Sequence, residues 1–147
     1  MQGKIAGIDY GTVRMGIAVS DADRILASPY ETYIRKSPEK DAEYFKKLVS
    51  EERITQFVLG LPLHLSGDLS EKAKEVLQFG LFLTNITGIP VDYMDERYTS
   101  VEAERLLREA GLTDKKRKER RDKLAAQILL AAYLEAGCKG TTDFLEL

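Results

Sequence analysis

Two apolar runs, residues 5–8 and 15–19, flank a short break at residues 10–14. This pattern predicts a β-hairpin with the break as its turn, and it sets the first two strands of whatever sheet the chain builds. Side chains alternate along a strand, so Asp9 shares a face with Ile5 and Gly7 at the point where the first strand leaves the core. A carboxylate there is costly without a partner. Gly11, just beyond it, gives a permissive backbone that lets another group approach the acid closely. Two readings stay open on this stretch alone: a metal ligand or catalytic acid, or an Asp that hydrogen-bonds its own turn.

The rest of the chain supplies the remainder of a sheet and its covering helices. Residues 25–34, broken by Pro29 and holding Tyr30, Thr32, Tyr33 and Ile34, favour an edge strand. Ser37-Pro38-Glu39 has the cap and first-turn proline that open a helix, with Phe45, Leu48 and Val49 on one side of it. The apolar run 54–61 around Phe57, Val58 and Leu59 predicts a central strand buried on both faces. A loop through residues 60–68 leads to a helix carrying Ala73, Val76, Leu77, Leu81 and Leu83, which stops at Thr87-Gly88-Ile89-Pro90. Residues 91–94 form a short fifth strand ending in Asp95-Glu96-Arg97. Thr99-Ser100-Val101-Glu102 has the spacing of a capping box for a helix to Gly111, and a last helix passes through Leu124, Ile128, Leu129 and Tyr133. Hairpins followed by strand-helix-strand crossovers predict an α/β fold. Its five-stranded mixed sheet has strands 1–3 antiparallel, then parallel crossovers, with helices on both faces.

At 147 residues the chain fits a single domain spanning 1–147. No apolar run approaches the roughly 20 residues of a membrane span, and the N-terminus lacks a leader pattern, so the expectation is a protein neither exported nor inserted. The lone Cys138 makes no internal disulfide and, without a His or thiol cluster, no zinc set, which suits a reducing cytoplasm. A net charge of -2 gives no global basic field. Any nucleic-acid binding must therefore be local.

Ligands in such sheets sit at strand C-terminal ends where connections diverge. Asp9, the loop 60–68 and the pair Asp95 and Glu96 all fall at such ends. On the last helix, Asp122 shares a face with Ala125 and Leu129, the positions expected to meet the sheet, so it looks inward from the first turn. It reads either as a salt-bridged or helix-dipole residue or as a further site acid. Converging carboxylates repel one another unless cations sit among them, and oxygen-rich sites suit Mg²⁺ or Mn²⁺, the ions of phosphoryl chemistry. Beside Asp122 runs Lys115-Lys116-Arg117-Lys118-Glu119-Arg120-Arg121, either a solvated connector or a clamp on phosphates, with Arg14, Arg97 and Lys72 as additions. His64, the one histidine, lies between two leucines and reads as a packing or surface residue. Tyr10 and Tyr98 border the site, either as core caps or as base-stacking platforms.

Four blocks match one family in order: Gly7-Ile-Asp9-Tyr-Gly-Thr-Val-Arg-Met-Gly-Ile-Ala-Val-Ser20, Val58-Leu-Gly-Leu-Pro-Leu-His-Leu-Ser-Gly67, Asp95-Glu-Arg-Tyr-Thr-Ser-Val-Glu-Ala103 and Arg121-Asp-Lys-Leu-Ala-Ala-Gln-Ile-Leu-Leu130. Together they resemble the YqgF family, known as pre-16S ribosomal RNA nucleases and also as Holliday junction resolvases. Each block is weak alone, but four in register across nearly the whole chain are specific. The resemblance implies an RNase H-like fold and a bacterial cytoplasmic enzyme that uses Mg²⁺ or Mn²⁺ to mature the 5′ end of 16S ribosomal RNA. Its partners would be precursor 16S RNA or structured DNA, not membrane, and its state monomer or homodimer. Carried over residue by residue, the acids and metal ligands are Asp9, Glu96 and Asp122, with Asp95 as the alternative to Glu96. The nucleic-acid contacts, read from their charge beside these acids and not from the resemblance, are Arg14, Arg97, Lys115, Lys116, Arg117, Lys118, Arg120 and Arg121. Two departures stand out. Lys123 occupies a place where the family has a small polar residue, which bears on substrate positioning. Residues 57–65 hold no acid, whereas RNase H and resolvase relatives take their second acid from the central fourth strand, so a fifth-strand acid stands in.

Overall fold

The structure, a computed structural model, describes residues 3–62, 70–95 and 114–140. Its centre is a five-stranded sheet in the order β3-β2-β1-β4-β5. Here β1 is Lys4–Asp9, β2 Arg14–Ser20, β3 Ala27–Ile34, β4 Ile54–Leu61 and β5 Val91–Asp95. The predicted hairpin forms with Ala6 opposite Val19 and Asp9 opposite Gly16. β3 continues the meander antiparallel to β2, while β4 and β5 run parallel to β1 and to each other. Pro29 is tolerated because β3 lies at the sheet edge, and the pairing slips by one residue beside it, so that Tyr30 bulges out of the ladder.

Helix α1, Pro38–Glu52, follows β3, and helix α2, Glu71–Thr87, joins β4 to β5. Ser37 caps α1 by accepting from the Lys40 N–H, and Ser70 caps α2 by accepting from that of Ala73. Both pack on one face, over Ala6, Ile8, Met15, Ile17, Phe57 and Leu59, with Phe45 and Leu83 filling the layer. Helix α3, Asp114–Glu135, covers the other face, where Ala126, Leu130 and Tyr133 meet Ile5, Ala18 and Val58. Adjacent residues of β1 and β4 thus enter different cores, which is why the buried stretches 5–8 and 57–61 are apolar on both faces.

Three boundaries differ from expectation. β3 starts at Ala27 and β5 runs one residue further, through Asp95. The larger difference is that the basic run does not precede the last helix but belongs to it. α3 begins at Asp114, so Asp122 lies two turns inside rather than in the first turn. Lys, Arg and Glu are good helix formers, and nothing in the run stops a helix. The predicted helix from Thr99, the loop beyond Pro62 with His64, and Tyr98 lie outside the described residues. Among the described residues no helix is long and apolar enough to cross a membrane.

Among the described residues one charged side chain is buried. Asp41, in the first turn of α1, is 2% exposed and accepts hydrogen bonds from the Tyr33 hydroxyl (2.6 Å), Arg35 Nε (3.0 Å) and the Lys36 backbone N–H (3.2 Å). Burial pushes its carboxyl up, but these bonds outweigh burial and hold it below the usual carboxylate range. A carboxylate held low stabilises the fold at neutral pH, and that contribution is lost as pH falls through its lowered value, below about 4. Asp41→Asn should therefore lower Tm at neutral pH, with the gap to the parent narrowing between about pH 5 and about pH 3 in circular-dichroism melts. A gap that stays constant over that range would remove Asp41 from the acid sensitivity.

Candidate active site

Asp9 closes β1 on the face that carries Ile5 and Gly7, and Gly16 stands directly across from it on β2. Gly16 is where α3 comes down. A Cβ built there would lie 1.8 Å from the main-chain oxygen of Asp122, so only a residue without a side chain lets the helix settle. The same track continues at Gly7, where a Cβ would meet Leu130 Cβ at 3.0 Å and the Ala126 carbonyl at 3.3 Å. Cα atoms of residues paired across an antiparallel ladder are about 4.5–5.5 Å apart. The Asp122 main chain thus rests on the residue next to Asp9, on the same face and at the same end of the sheet.

The side chain of Asp122 is fixed from β2. Arg14, two residues before Gly16 and so on the same face, donates from Nε to Asp122 Oδ2 at 2.5 Å. The acid is 13% exposed and the guanidinium side chain 31% exposed, so the pair sits at the rim of the α3 interface and is reachable from solvent. The sequence places Arg14 among the phosphate contacts; in the structure its Nε holds the helix acid. Arg120 is exposed and Arg121 half-buried on the same helix. For residues 115–118 only the helical backbone is described.

The strand alternative for the second acid lies elsewhere. Asp95 pairs with Leu61 and has the parity of Val91 and Tyr93. Tyr93 points at α2, where its hydroxyl occupies the space a Cβ of Gly80 would need. Asp92, of the opposite parity, points at α3 and accepts from the Tyr133 hydroxyl at 2.8 Å. Alternation therefore places Asp95 on the α2 face and Asp9 on the α3 face. Glu96 and Arg97 lie outside the described residues. Tyr10, next after Asp9, turns to the α2 side and packs against Phe79 with ring centroids 5.1 Å apart, which fits the core-cap reading.

Asp92 carries no signal in the sequence that marks it out. It also accepts from the Gly140 N–H at 3.2 Å, so it secures the far end of α3. Burial, followed by the bond to Asp92, pushes the Tyr133 hydroxyl up, so it stays a donor at neutral pH.

Asp9 and Asp122 offer only carboxylate oxygens, a donor set that suits a hard divalent cation. Among the described residues no three acidic, histidine or cysteine side chains come together closely enough to enclose one. Beyond these two acids, the remaining positions around such a cation would fall to water, substrate oxygens or further protein donors.

A family model described as "RuvX: Holliday junction resolvase" matches residues 3–136. A protein of Rhodopirellula baltica named "Putative pre-16S rRNA nuclease" is 48% identical over 134 residues, covering 91% of this chain and 78% of its own. One of the same name from Syntrophomonas wolfei is 43% identical over 137 residues, covering 93% and 97%. Among solved structures, Thermus thermophilus RuvC in complex with Holliday junction substrate matches with a TM-score of 0.57 at 18% identity, covering 92% of this chain and 97% of that one. A fowlpox virus resolvase in complex with Holliday junction DNA matches at 0.55 and 13% identity, covering 92% and 99%. At these identities the likeness is one of fold, and the fold is RNase H-like.

If Gly16 is the seat of α3, Gly16→Ala should destabilise the protein by about 1–3 kcal/mol and lower Tm by at least about 3 °C. A melt within about 1 °C of the parent would show that the helix does not depend on that contact.

Proposed function

This chain belongs to the RuvX, or YqgF, Holliday junction resolvase family, and on that premise we propose that it is a bacterial cytoplasmic nuclease that trims the 5′ end of precursor 16S ribosomal RNA. The observation that carries the reading is the seating of Asp122 on Gly16, the partner of Asp9, which brings two acids from opposite ends of the chain to one end of one face. We assign Asp9, Glu96 and Asp122 as ligands of Mg²⁺ or Mn²⁺. The parity of Asp95, which points it to the other face, supports giving the third place to Glu96. Once bound, such an ion supplies Lewis acidity at the phosphate and acidifies water for phosphodiester hydrolysis.

The chain's own groups do the rest. Asp9, at the end of a strand paired on both sides, keeps its carboxylate at a fixed place. Arg14 neutralises and orients Asp122 before any cation arrives, and its fork-shaped guanidinium is suited to a phosphate oxygen. Lys115, Lys116, Arg117 and Lys118 begin α3, with Arg120 and Arg121 following, so phosphate attraction runs along the helix that delivers Asp122. Local basic charge of this kind serves a chain whose net charge is -2.

The family model's description favours a second reading, cleavage of four-way DNA junctions. That reaction needs two symmetric sites and hence a homodimer, whereas trimming one RNA end proceeds in a monomer.

Purified protein, Asp9→Asn and Asp122→Asn should be incubated with precursor 16S ends and with a four-way junction, each with Mg²⁺ or Mn²⁺. The expected result is cleavage of the precursor by the parent, and its loss in both variants with folding intact by circular dichroism. Full cutting by either variant would remove that acid from the mechanism. Cutting of the junction alone would transfer the assignment to the second reading, and RNA binding without Mn²⁺ binding or cutting would make the protein a ribosome-assembly module. Reversing the charge of Lys115, Lys116, Arg117 and Lys118 should weaken RNA binding and reduce the salt slope by up to about 3. An unchanged affinity and slope would leave the run a plain solvated helix end.

A further inference from the structure

The turn that follows Asp9 is gripped from the face opposite the acids. Arg35, the residue after β3, donates its backbone N–H to the Val13 carbonyl at 2.9 Å. Its Nη1 donates to the Tyr10 hydroxyl at 3.1 Å and to the Gly11 carbonyl at 3.3 Å. The guanidinium carbon lies 5.3 Å from the centroid of the Tyr10 ring and 5.4 Å from that of Phe79. One arginine thus holds residues 10, 11 and 13 of a turn whose first neighbour is Asp9.

The arginine is anchored in its own right. Its Nε donates at 3.0 Å to Asp41, the buried acid of α1, whose other oxygen takes the Tyr33 hydroxyl and the Lys36 N–H. Asp41 is buried while Arg35 reaches solvent at 23% exposure. An ion pair with a buried member is a poor source of stability compared with apolar packing, and fixing geometry is the best attested use of one. Asp41 is enclosed between α1 and β3 and does not face the acids, so it takes no direct part in the hydrolysis proposed above.

We propose that Arg35, held by Asp41, is a positioning residue for Asp9, locking the β1–β2 turn so that the Asp9 carboxylate keeps its place beside Asp122. The chain of contacts runs from α1 through Asp41 and Arg35 to Tyr10 and Gly11, and through the backbone to the acid. It rests on the reading of Asp9 as a metal-ligating acid. A cleft of about 220 Å³ lined by Tyr10, Arg35, Phe79 and Phe82, among others, opens onto the guanidinium. Truncating Arg35 would therefore leave a vacancy shaped for a guanidinium ion and open to solvent.

The test uses the full-length protein, Arg35→Ala and Arg35→Lys, all assayed well below their melting temperatures. Three quantities are compared: kcat and KM on precursor 16S ends with Mn²⁺, Mn²⁺ affinity by calorimetry, and affinity for a single-stranded precursor oligonucleotide without metal. Loss of a positioning residue should lower kcat and Mn²⁺ affinity about 10–100-fold. KM and metal-free RNA affinity should move by less than about twofold. Methylguanidinium added to Arg35→Ala should restore part of both losses. Arg35→Lys, which keeps the charge but not the fork, should show the same division in milder form, and it answers the question if the alanine variant does not fold. Folded variants with kcat and Mn²⁺ affinity within about twofold of the parent would overturn the proposal and leave Arg35 a stabilising residue only. Weakened metal-free RNA binding with kcat intact would overturn it in favour of direct substrate contact. A parent that neither binds Mn²⁺ nor cuts would overturn the nuclease reading and this proposal together, an outcome distinct from both others.

Discussion

Helix α3 meets the sheet backbone to backbone. At Gly16 the main-chain oxygen of Asp122 fills the space of an absent side chain, and at Gly7 the helix presses on the strand through Ala126 and Leu130. This approach fixes the height and rotation of the helix over β1 and β2, and with them the place of an acid that is more than a hundred residues from Asp9 in the chain. A bulkier residue at Gly16 would push against the helix at Asp122 itself. The candidate site is therefore a property of the helix-sheet interface more than of either acid.

Two arginine-carboxylate pairs bracket the β1–β2 turn from the two faces of the sheet. On the α3 side the half-exposed Arg14 holds Asp122, a pair that solvent screens and that other charges can displace. On the α1 side Arg35 holds Asp41, an acid that is itself buried and is backed by a tyrosine and a backbone N–H. The deeper burial of Asp41 fits the roles proposed for the two pairs. On that proposal Arg14 is a displaceable counter-ion where a cation or phosphate would arrive, and Arg35 is a tie that keeps the turn from moving.

Much of this architecture was legible in the sequence because its signals are local. The hairpin, the Ser37-Pro38 helix start, the buried central strand and the mixed order of the sheet each rest on neighbouring residues, and each formed as expected. The charge run misled because a solvated connector and a basic helix start share a composition. A permissive backbone was legible at Gly11, but the close approach at Gly16 was not, since the carbonyl that fills the space there comes from Asp122, far away in the chain. Asp41 reads from sequence as an ordinary surface acid near a helix N-terminus. Its burial depends on Tyr33 and Arg35 arriving from β3, which no periodicity in α1 reveals. The face that Asp95 takes depends on the register of β5, which became visible only once Tyr93 was seen against α2 and Asp92 against Tyr133.

The central claim is that Asp9 and Asp122 serve one cation. Anomalous diffraction from a crystal of the protein soaked in Mn²⁺ addresses it directly. The account predicts a manganese peak within coordination distance of both carboxylates, with the Arg14 guanidinium no longer on Asp122. A peak bound elsewhere, or soaked crystals in which Arg14 still holds Asp122 and no metal lies between the two acids, would contradict it.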